Sequence, residues 1–229
     1  MWQLILLDWQ KHHLNQSLRS FVICIIVIFS FSIFLGNGGH SFISADDFFT
    51  LLTILNNITF MIFSSTLLAR IIIREFHQKT IQVLFTYPIA RKKLLLSKVV
   101  LVYVLTFAML SISMLTMQLA TWFVQGTMDL FPDYYALDDL LRDVPFTFTN
   151  ACIMAGIALI PLLFGMRKKS TATTITSAVI ISFLMNSTIS NEHARWSLAD
   201  TVIIPIMLAI LGIGIAYLSF RKINKKDVV

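Results

Sequence analysis

Residues 94–124 read LLLSKVVLVYVLTFAMLSISMLTMQLATWFV. The only charge in this block, Lys98, lies near its start. About 20 apolar residues are enough to carry a helix across the hydrocarbon core of a bilayer, so the block predicts a transmembrane helix. A helix satisfies its own backbone in lipid, and nothing in the block alternates as a barrel strand does. Working outward, further apolar blocks lie at about 18–35, 48–73, 146–166, 170–185 and 201–220. The block at 170–185 is short and carries Thr171, Thr173, Thr174 and Thr176. The predicted fold is therefore all-α: a polytopic membrane protein with six transmembrane helices in one domain over residues 1–229. Composition points the same way. The chain is 57% hydrophobic and 13% charged, whereas soluble domains carry about 25% charged residues. So many long apolar segments exclude a soluble domain.

Residues 1–16 are not a span. Trp2, Ile5, Leu6 and Trp9 fall at i, i+3, i+4 and i+7, with Gln3 and Gln10 on the other face. That pattern predicts a helix lying in the membrane interface with its tryptophans at headgroup depth. Cys24 and Cys152 lie inside apolar blocks without metal-ligand or CxxC spacing and read as small buried hydrophobes.

Basic residues set the orientation. Lys11 and Arg19, then Arg70 to Lys98 around the second connection, then Arg167 to Lys169, then Arg221 to Lys226 all fall on one side of the six-span arrangement. Only Arg142 and Arg195, of 18 lysines and arginines, fall on the other. Positive charge is retained in the cytoplasm, which predicts a multi-pass cell-membrane protein with both termini cytoplasmic. The net charge of +6 is a topology signal and not a nucleic-acid footprint, because the charges flank spans. The opposite side carries Asp46, Asp47, Asp129, Asp133, Asp138, Asp139, Asp143, Glu192 and Asp200. They read as solvated loops, or as a field attracting a cationic substrate. Within 129–143, Leu130, Phe131, Tyr134, Leu137, Leu140 and Leu141 form an apolar stripe, and Asp138 and Arg142 an i, i+4 pair. That predicts a separate outer interfacial helix, or a loop with incidental aromatics.

No catalytic constellation stands out. The chain has no HExxH, GxSxG or GxxxxGK[ST] motif. Adjacent His12 and His13 point about 100° apart on a helix and cannot grip one metal. Gly36, Gly38 and Gly39 read as a turn, and Gly212 and Gly214 as permitting close helix packing. No span carries an ionisable group at its centre, which argues against a proton-driven carrier. No cofactor, metal site or enzyme activity is expected of the chain itself.

The segment between spans two and three, residues 74–93, reads REFHQKTIQVLFTYPIARKK. Glu75, Gln78, Lys79 and Gln82 form a polar helical stripe, and Phe76, Thr80, Val83 and Leu84 an apolar face. Pro88 ends the helix, and Arg91, Lys92 and Lys93 follow. Such a helix can press one face on the membrane domain and offer the other to a soluble partner. Arg74-Glu75, Thr80-Ile81, Leu84, Pro88-Ile89, Arg91 and Lys98 resemble the cytoplasmic helix that follows span two in permease subunits of type-2 ABC exporters. Lys79 and Ser97 stand where that family often has glycine. The entry helix, six spans and inward termini extend the resemblance over the whole chain.

The resemblance implies two permease copies, or a permease and a related subunit, working with two copies of an ABC ATPase subunit in the lipid membrane. It makes Arg74, Glu75, Gln78, Lys79, Thr80, Gln82, Pro88 and Arg91 the ATPase-coupling residues. A re-entrant segment of the family would correspond to about residues 187–199, here short and polar. The low-charge style of the chain resembles exporters of amphipathic or antimicrobial peptides in bacteria. Asn56, Asn57, Thr59, Ser64, Ser65 and Thr66 make span two polar, and Ser111, Ser113, Thr116 and Gln118 do the same in span three. These residues read either as interhelical packing or as a hydroxyl-lined pathway, with Asn56, Asn57, Thr59, Ser64, Ser113, Thr116 and Gln118 as its candidates. A membrane scaffold or sensor that recruits a cytoplasmic partner without transport is the alternative function.

Overall fold

A computed structural model describes residues 14–37, 45–73, 91–125, 135, 137–168, 170–186, 188–191, 194–197 and 203–221. The order is α1 (Leu14–Asn37), α2 (Ala45–Leu68) running on into a π turn (Ala69–Ile73), α3 (Arg91–Val124), α4 (Leu137–Ile157), α5 (Pro161–Lys168), α6 (Thr171–Met185), β1 (Thr188–Asn191), β2 (Ala194–Ser197) and α7 (Ile203–Arg221). Among the described residues, three helical stretches are long and apolar enough to cross a membrane: Ala45–Ile73, Leu95–Val124 and Leu137–Lys168, the last made of α4 and α5. Shorter apolar helices cover Arg19–Leu35, Thr171–Met185 and Ile204–Ala216. The expected interfacial helix at 1–16 and the expected coupling helix between spans two and three fall almost wholly outside the described residues.

The outer surface is apolar, unlike that of a water-soluble bundle, and the apolar interior holds a set of buried polar side chains. Phe34, Phe123 and Phe146 are about 70% exposed (71%, 72% and 67%), and Ile210, Ile180 and Phe183 are exposed as well. Asn56, Asn57, Ser64, Ser113 and Gln118 are buried. In water the exposed apolar surface would drive aggregation. In lipid it costs nothing, while polar groups must find partners inside.

Contacts fix the directions of the helices. Phe21 of α1 lies 5.4 Å from Phe60 of α2 between ring centroids, so the start of α1 meets the second half of α2 and the two run antiparallel. The far end of the bundle is set by Phe49 of α2 against Tyr135, at 4.5 Å. α6 runs antiparallel to α2: Ile73 and Thr174 both meet Gly165, and Ile58 lines one shallow groove with Val179, Phe183 and Asn186. One end of the bundle therefore gathers Arg70, Arg167 and Lys168, and the other the first-turn acids Asp46, Asp47, Asp138 and Asp139. Those acids sit where the helix dipole favours negative charge.

Several expectations need correction. The helix that carries the fourth apolar block begins before residue 146: α4 starts at Leu137, so Leu137, Leu140, Leu141 and the Asp138–Arg142 pair belong to its first turns and not to a separate interfacial helix. The same block is not one helix. It breaks at Ala158–Ile160, before Pro161, because proline has no N–H to continue the ladder and its ring crowds the preceding turn. Thr188–Asn191 and Ala194–Ser197 pair as two antiparallel strands, with Ile189 opposite Trp196 and Ser190 opposite Arg195. Among the described residues, nothing lies within 4 Å of a Cβ placed on Gly214, so close packing within this bundle does not explain it. For Gly212 it does, since a Cβ there would run into the carbonyl oxygen of Gly156 on α4.

Candidate functional site

Four interhelical hydrogen bonds form a ladder through the middle of the bundle. Near the basic end, Ser64 of α2 and Thr106 of α3 share a bond of 2.7 Å. Further along, the Ser113 hydroxyl of α3 donates to Asn56 Oδ1 of α2 at 2.6 Å. Beside it, Asn150 Nδ2 of α4 donates to Asn57 Oδ1 of α2 at 3.1 Å. Toward the acidic end, Gln118 Nε2 of α3 donates to Thr147 Oγ1 of α4 at 3.2 Å. Thr106, Ser113 and Gln118 thus place rungs over about 18 Å of α3 at the normal helical rise. Thr106, Thr121 and Thr147 also donate to carbonyls one turn back, a common way for hydroxyls to remain satisfied in apolar helices.

The rungs account for most of the candidate pathway residues. Asn56, Asn57, Ser64, Ser113 and Gln118 are brought together as partners across α2, α3 and α4, whereas Thr59 is half-buried and Thr116 is exposed, its hydroxyl donating to Ser113 O at 2.8 Å. Among the described residues, two buried side-chain atoms have no hydrogen-bond partner: Ser111 Oγ and Gln118 Oε1. Both belong to α3, seven residues apart and so on nearly the same face. Sequence reasoning missed the partner residues Thr106, Thr147 and Asn150. Asn150 carried the same signal as Asn56, a carboxamide inside an apolar block, but which helix it meets depends on rotations that sequence does not set.

The acidic end is closed by Tyr135. The Gln125 carboxamide at the end of α3 donates to Tyr135 O at 2.7 Å and accepts from Tyr135 N–H at 3.0 Å. The Tyr135 hydroxyl donates to Asp143 Oδ2 at 2.9 Å. Burial, then the hydrogen bond and charge of Asp143, and then the charge of Asp139 push the phenol above its ordinary value.

At the basic end Ile71, Ile72 and Ile73 are buried and Arg70 is exposed, so the π turn seats its apolar residues on the bundle. Ile73 on that turn, Gly165 on α5 and Thr174 on α6 meet so closely that a Cβ at Gly165 would overlap Thr174 Oγ1 and lie 2.9 Å from Ile73 Cδ1. Lys98, in the early turns of α3, is 1% exposed and is engaged in a polar or electrostatic interaction. Buried lysine is rare unless paired. Of the coupling residues read from sequence, Arg91 begins α3, while Arg74, Glu75, Gln78, Lys79, Thr80, Gln82 and Pro88 lie outside the described residues. No group of three or more His, Cys, Asp or Glu side chains able to hold a metal occurs among the described residues.

The chain is similar to known sequences in a way that matches this architecture. Residues 4–186 match the ABC-2 family transporter protein family. The chain is 30% identical to the uncharacterized protein YcbO of Bacillus subtilis (strain 168) over 229 residues, covering 98% of this chain and 99% of that protein. No solved structure matches it. A family match over most of the chain, on apolar helices that bury their polar groups, makes this chain a member of the ABC-2 transporter family and a multi-pass membrane permease of an ABC transporter.

Proposed function

We propose that the chain is the permease half of an ATP-driven exporter in a bacterial plasma membrane. It crosses the bilayer six times with both termini cytoplasmic. Two permease copies, or one with a related subunit, pair with two ATPase subunits. The cytoplasmic segment 74–90, with Glu75 and Arg91 near its two ends, seats in the ATPase, and nucleotide-driven closure moves it. The observation that carries the reading is the buried ladder joining Asn56, Asn57 and Ser64 to Ser113, Asn150 and Thr106. Sliding α2 against α3 and α4 exchanges these partners and exposes hydroxyls and carboxamides to whatever enters between them. Amide and hydroxyl groups flanked by apolar surface suit an amphipathic peptide, whose backbone needs hydrogen-bond partners while its side chains stay in apolar surroundings.

The test is extraction of the chain from its native host in mild detergent, followed by mass spectrometry of its partners and assay of ATP hydrolysis with added amphipathic peptides. A stoichiometric ABC ATPase and peptide-stimulated hydrolysis support the reading. Absence of an ATPase, under conditions that preserve other ABC complexes, removes it and leaves a membrane scaffold or sensor. An ATPase that no peptide stimulates removes the peptide assignment alone.

A further inference from the structure

The break in the α4–α5 span lies between two tight contacts. On its α4 side, Gly212 of α7 packs against the carbonyl oxygen of Gly156, and a Cβ on Gly156 would lie 2.9 Å from Ala209 Cβ. On its α5 side, Gly165 admits Ile73 and Thr174 with no room for a methyl group. Between them the helical ladder tightens. Leu159 N donates to Gly156 O at 3.2 Å, Ile160 N to Ile157 O at 2.9 Å, Leu162 N to Leu159 O at 3.1 Å and Leu163 N to Ile160 O at 3.1 Å. These are bonds to the third residue back, in place of the fourth, and Pro161 contributes no N–H at all. A 3₁₀ turn in the middle of a helix is a recognised hinge geometry.

The two sides of the break have different principal neighbours. α4 packs chiefly on α3 and α7, while α5 packs chiefly on α6 and makes smaller contacts with α7 and the π turn. A π turn is itself a local departure from α geometry that recurs at functional sites. One span is thus shared between two packed groups, clamped by a glycine on each and jointed where it passes between them.

We propose that the turn at 158–160 is a hinge about which the π turn, α5 and α6 move as one block against α3, α4 and α7. The contact of Ile73 and Thr174 on Gly165 makes α5 follow the end of α2. Because the π turn leads directly into residue 74, a push on the 74–90 segment reaches the middle of the bundle through this contact. The source of that push rests on the ATPase-coupled reading above; the hinge does not.

The experiment uses the full chain in lipid nanodiscs, with Cys24→Ser throughout and spin labels read by pulsed dipolar spectroscopy. One pair, on native Cys152 of α4 and Arg167→Cys of α5, spans the hinge. The other, on Arg167→Cys and Ile180→Cys of α6 with Cys152→Ser, lies within the proposed block. All three label sites are exposed. The expected result is a distance distribution about twice as broad for the spanning pair as for the block pair, as domain-type motion about a local hinge gives. Pro161→Ala, which lets the normal ladder form, should narrow the spanning pair alone. Equal widths, or a Pro161→Ala protein whose spanning pair stays as broad, overturn the hinge. If Pro161→Ala does not fold, hydrogen exchange in the wild type decides. The amides of residues 159, 160, 162 and 163 exchanging at least about tenfold faster than amides 151–156 support the hinge, and any smaller difference overturns it. These readouts need no ATPase, so a missing ATPase partner removes the coupling reading while leaving the hinge tested.

Discussion

The Ser113 hydroxyl on α3 points at Asn56 Oδ1 on α2 across 2.6 Å, in a stretch where both side chains are buried. Ser113 Oγ also lies 3.0 Å from Leu110 O on its own helix. Removing Asn56 therefore does not orphan the serine, because its proton turns back to that carbonyl. Asn56→Leu should cost only about 1 kcal/mol, since interhelical hydrogen bonds in membranes average about 0.6 kcal/mol by double-mutant cycles. The check is a cycle of Asn56→Leu and Ser113→Ala, read by unfolding of the purified chain in mixed detergent. The double variant should lose less than the sum of the singles. Strict additivity would mean the bond contributes nothing.

Tyr135 joins three helices at the acidic end: its backbone is held by Gln125, its ring by Phe49, and its hydroxyl by Asp143. Its phenol is held above the ordinary value of 10.0, foremost by burial. For an acid group whose folded value is raised, the neutral form is the one the fold stabilises. This contribution is therefore complete below about pH 10 and is lost as pH rises past the unfolded value. Tyr135→Phe keeps the ring on Phe49 and removes the hydroxyl. It should cost about 1.5 to 3 kcal/mol at neutral pH, the range for hydrogen bonds to charged groups. It should also flatten the alkaline fall in melting temperature. A variant with the same alkaline fall as the parent would place that sensitivity elsewhere.

Gly212 and Gly214 lie two residues apart in one helix, yet substitution should act on them in opposite directions. A methyl group on Gly212 has to displace the Gly156 backbone, and backbone is the part of a packed interface least able to yield. Overpacking of this kind costs about 1 to 3 kcal/mol. A methyl group on Gly214 meets nothing within 4 Å, and alanine in a helix gains about 0.5 to 1 kcal/mol over glycine. Thermal melts of Gly212→Ala and Gly214→Ala in one detergent should fall on either side of the parent. A stabilised Gly212→Ala would show that α4 and α7 do not approach this closely.

What sequence could disclose depended on how local the physics was. Apolar blocks long enough to cross a membrane are a property of consecutive residues, so the regions now seen as α2, α3 and α6 were located to within a few positions, and the family was legible from residues between Arg74 and Lys98. Pro161 announced a break in the fourth apolar block by the same local logic, and the hydrophobic run around it concealed the signal. The ladder partners were of another kind. Asn56 and Ser113 are 57 residues apart, and their meeting depends on how α2 and α3 are rotated about their axes. Nor does glycine spacing separate Gly212, which touches backbone, from Gly214, which touches nothing. The pairing of strands 188–191 and 194–197 lies in a short polar stretch, with Ile189 opposite Trp196, and no strong strand signal in the sequence announces it.

Lysine and arginine supply the last prediction, because the bundle sorts them by end. α2 runs from Asp46 and Asp47 to Arg70, and the α4–α5 span from Asp138 and Asp139 to Arg167 and Lys168. Both long spans descend from an acidic to a basic end, and basic residues close to span ends are what orient a membrane protein. In a Cys24→Ser, Cys152→Ser background, Asp133→Cys should therefore react with a membrane-impermeant maleimide on intact cells. Lys169→Cys should react only after the membrane is permeabilised. The two positions bracket the same span, so one reversed result means that the span does not cross. If both results reverse, the span crosses in the opposite sense, and residues 74–90 then lie outside the cell, where no ATPase could reach Glu75.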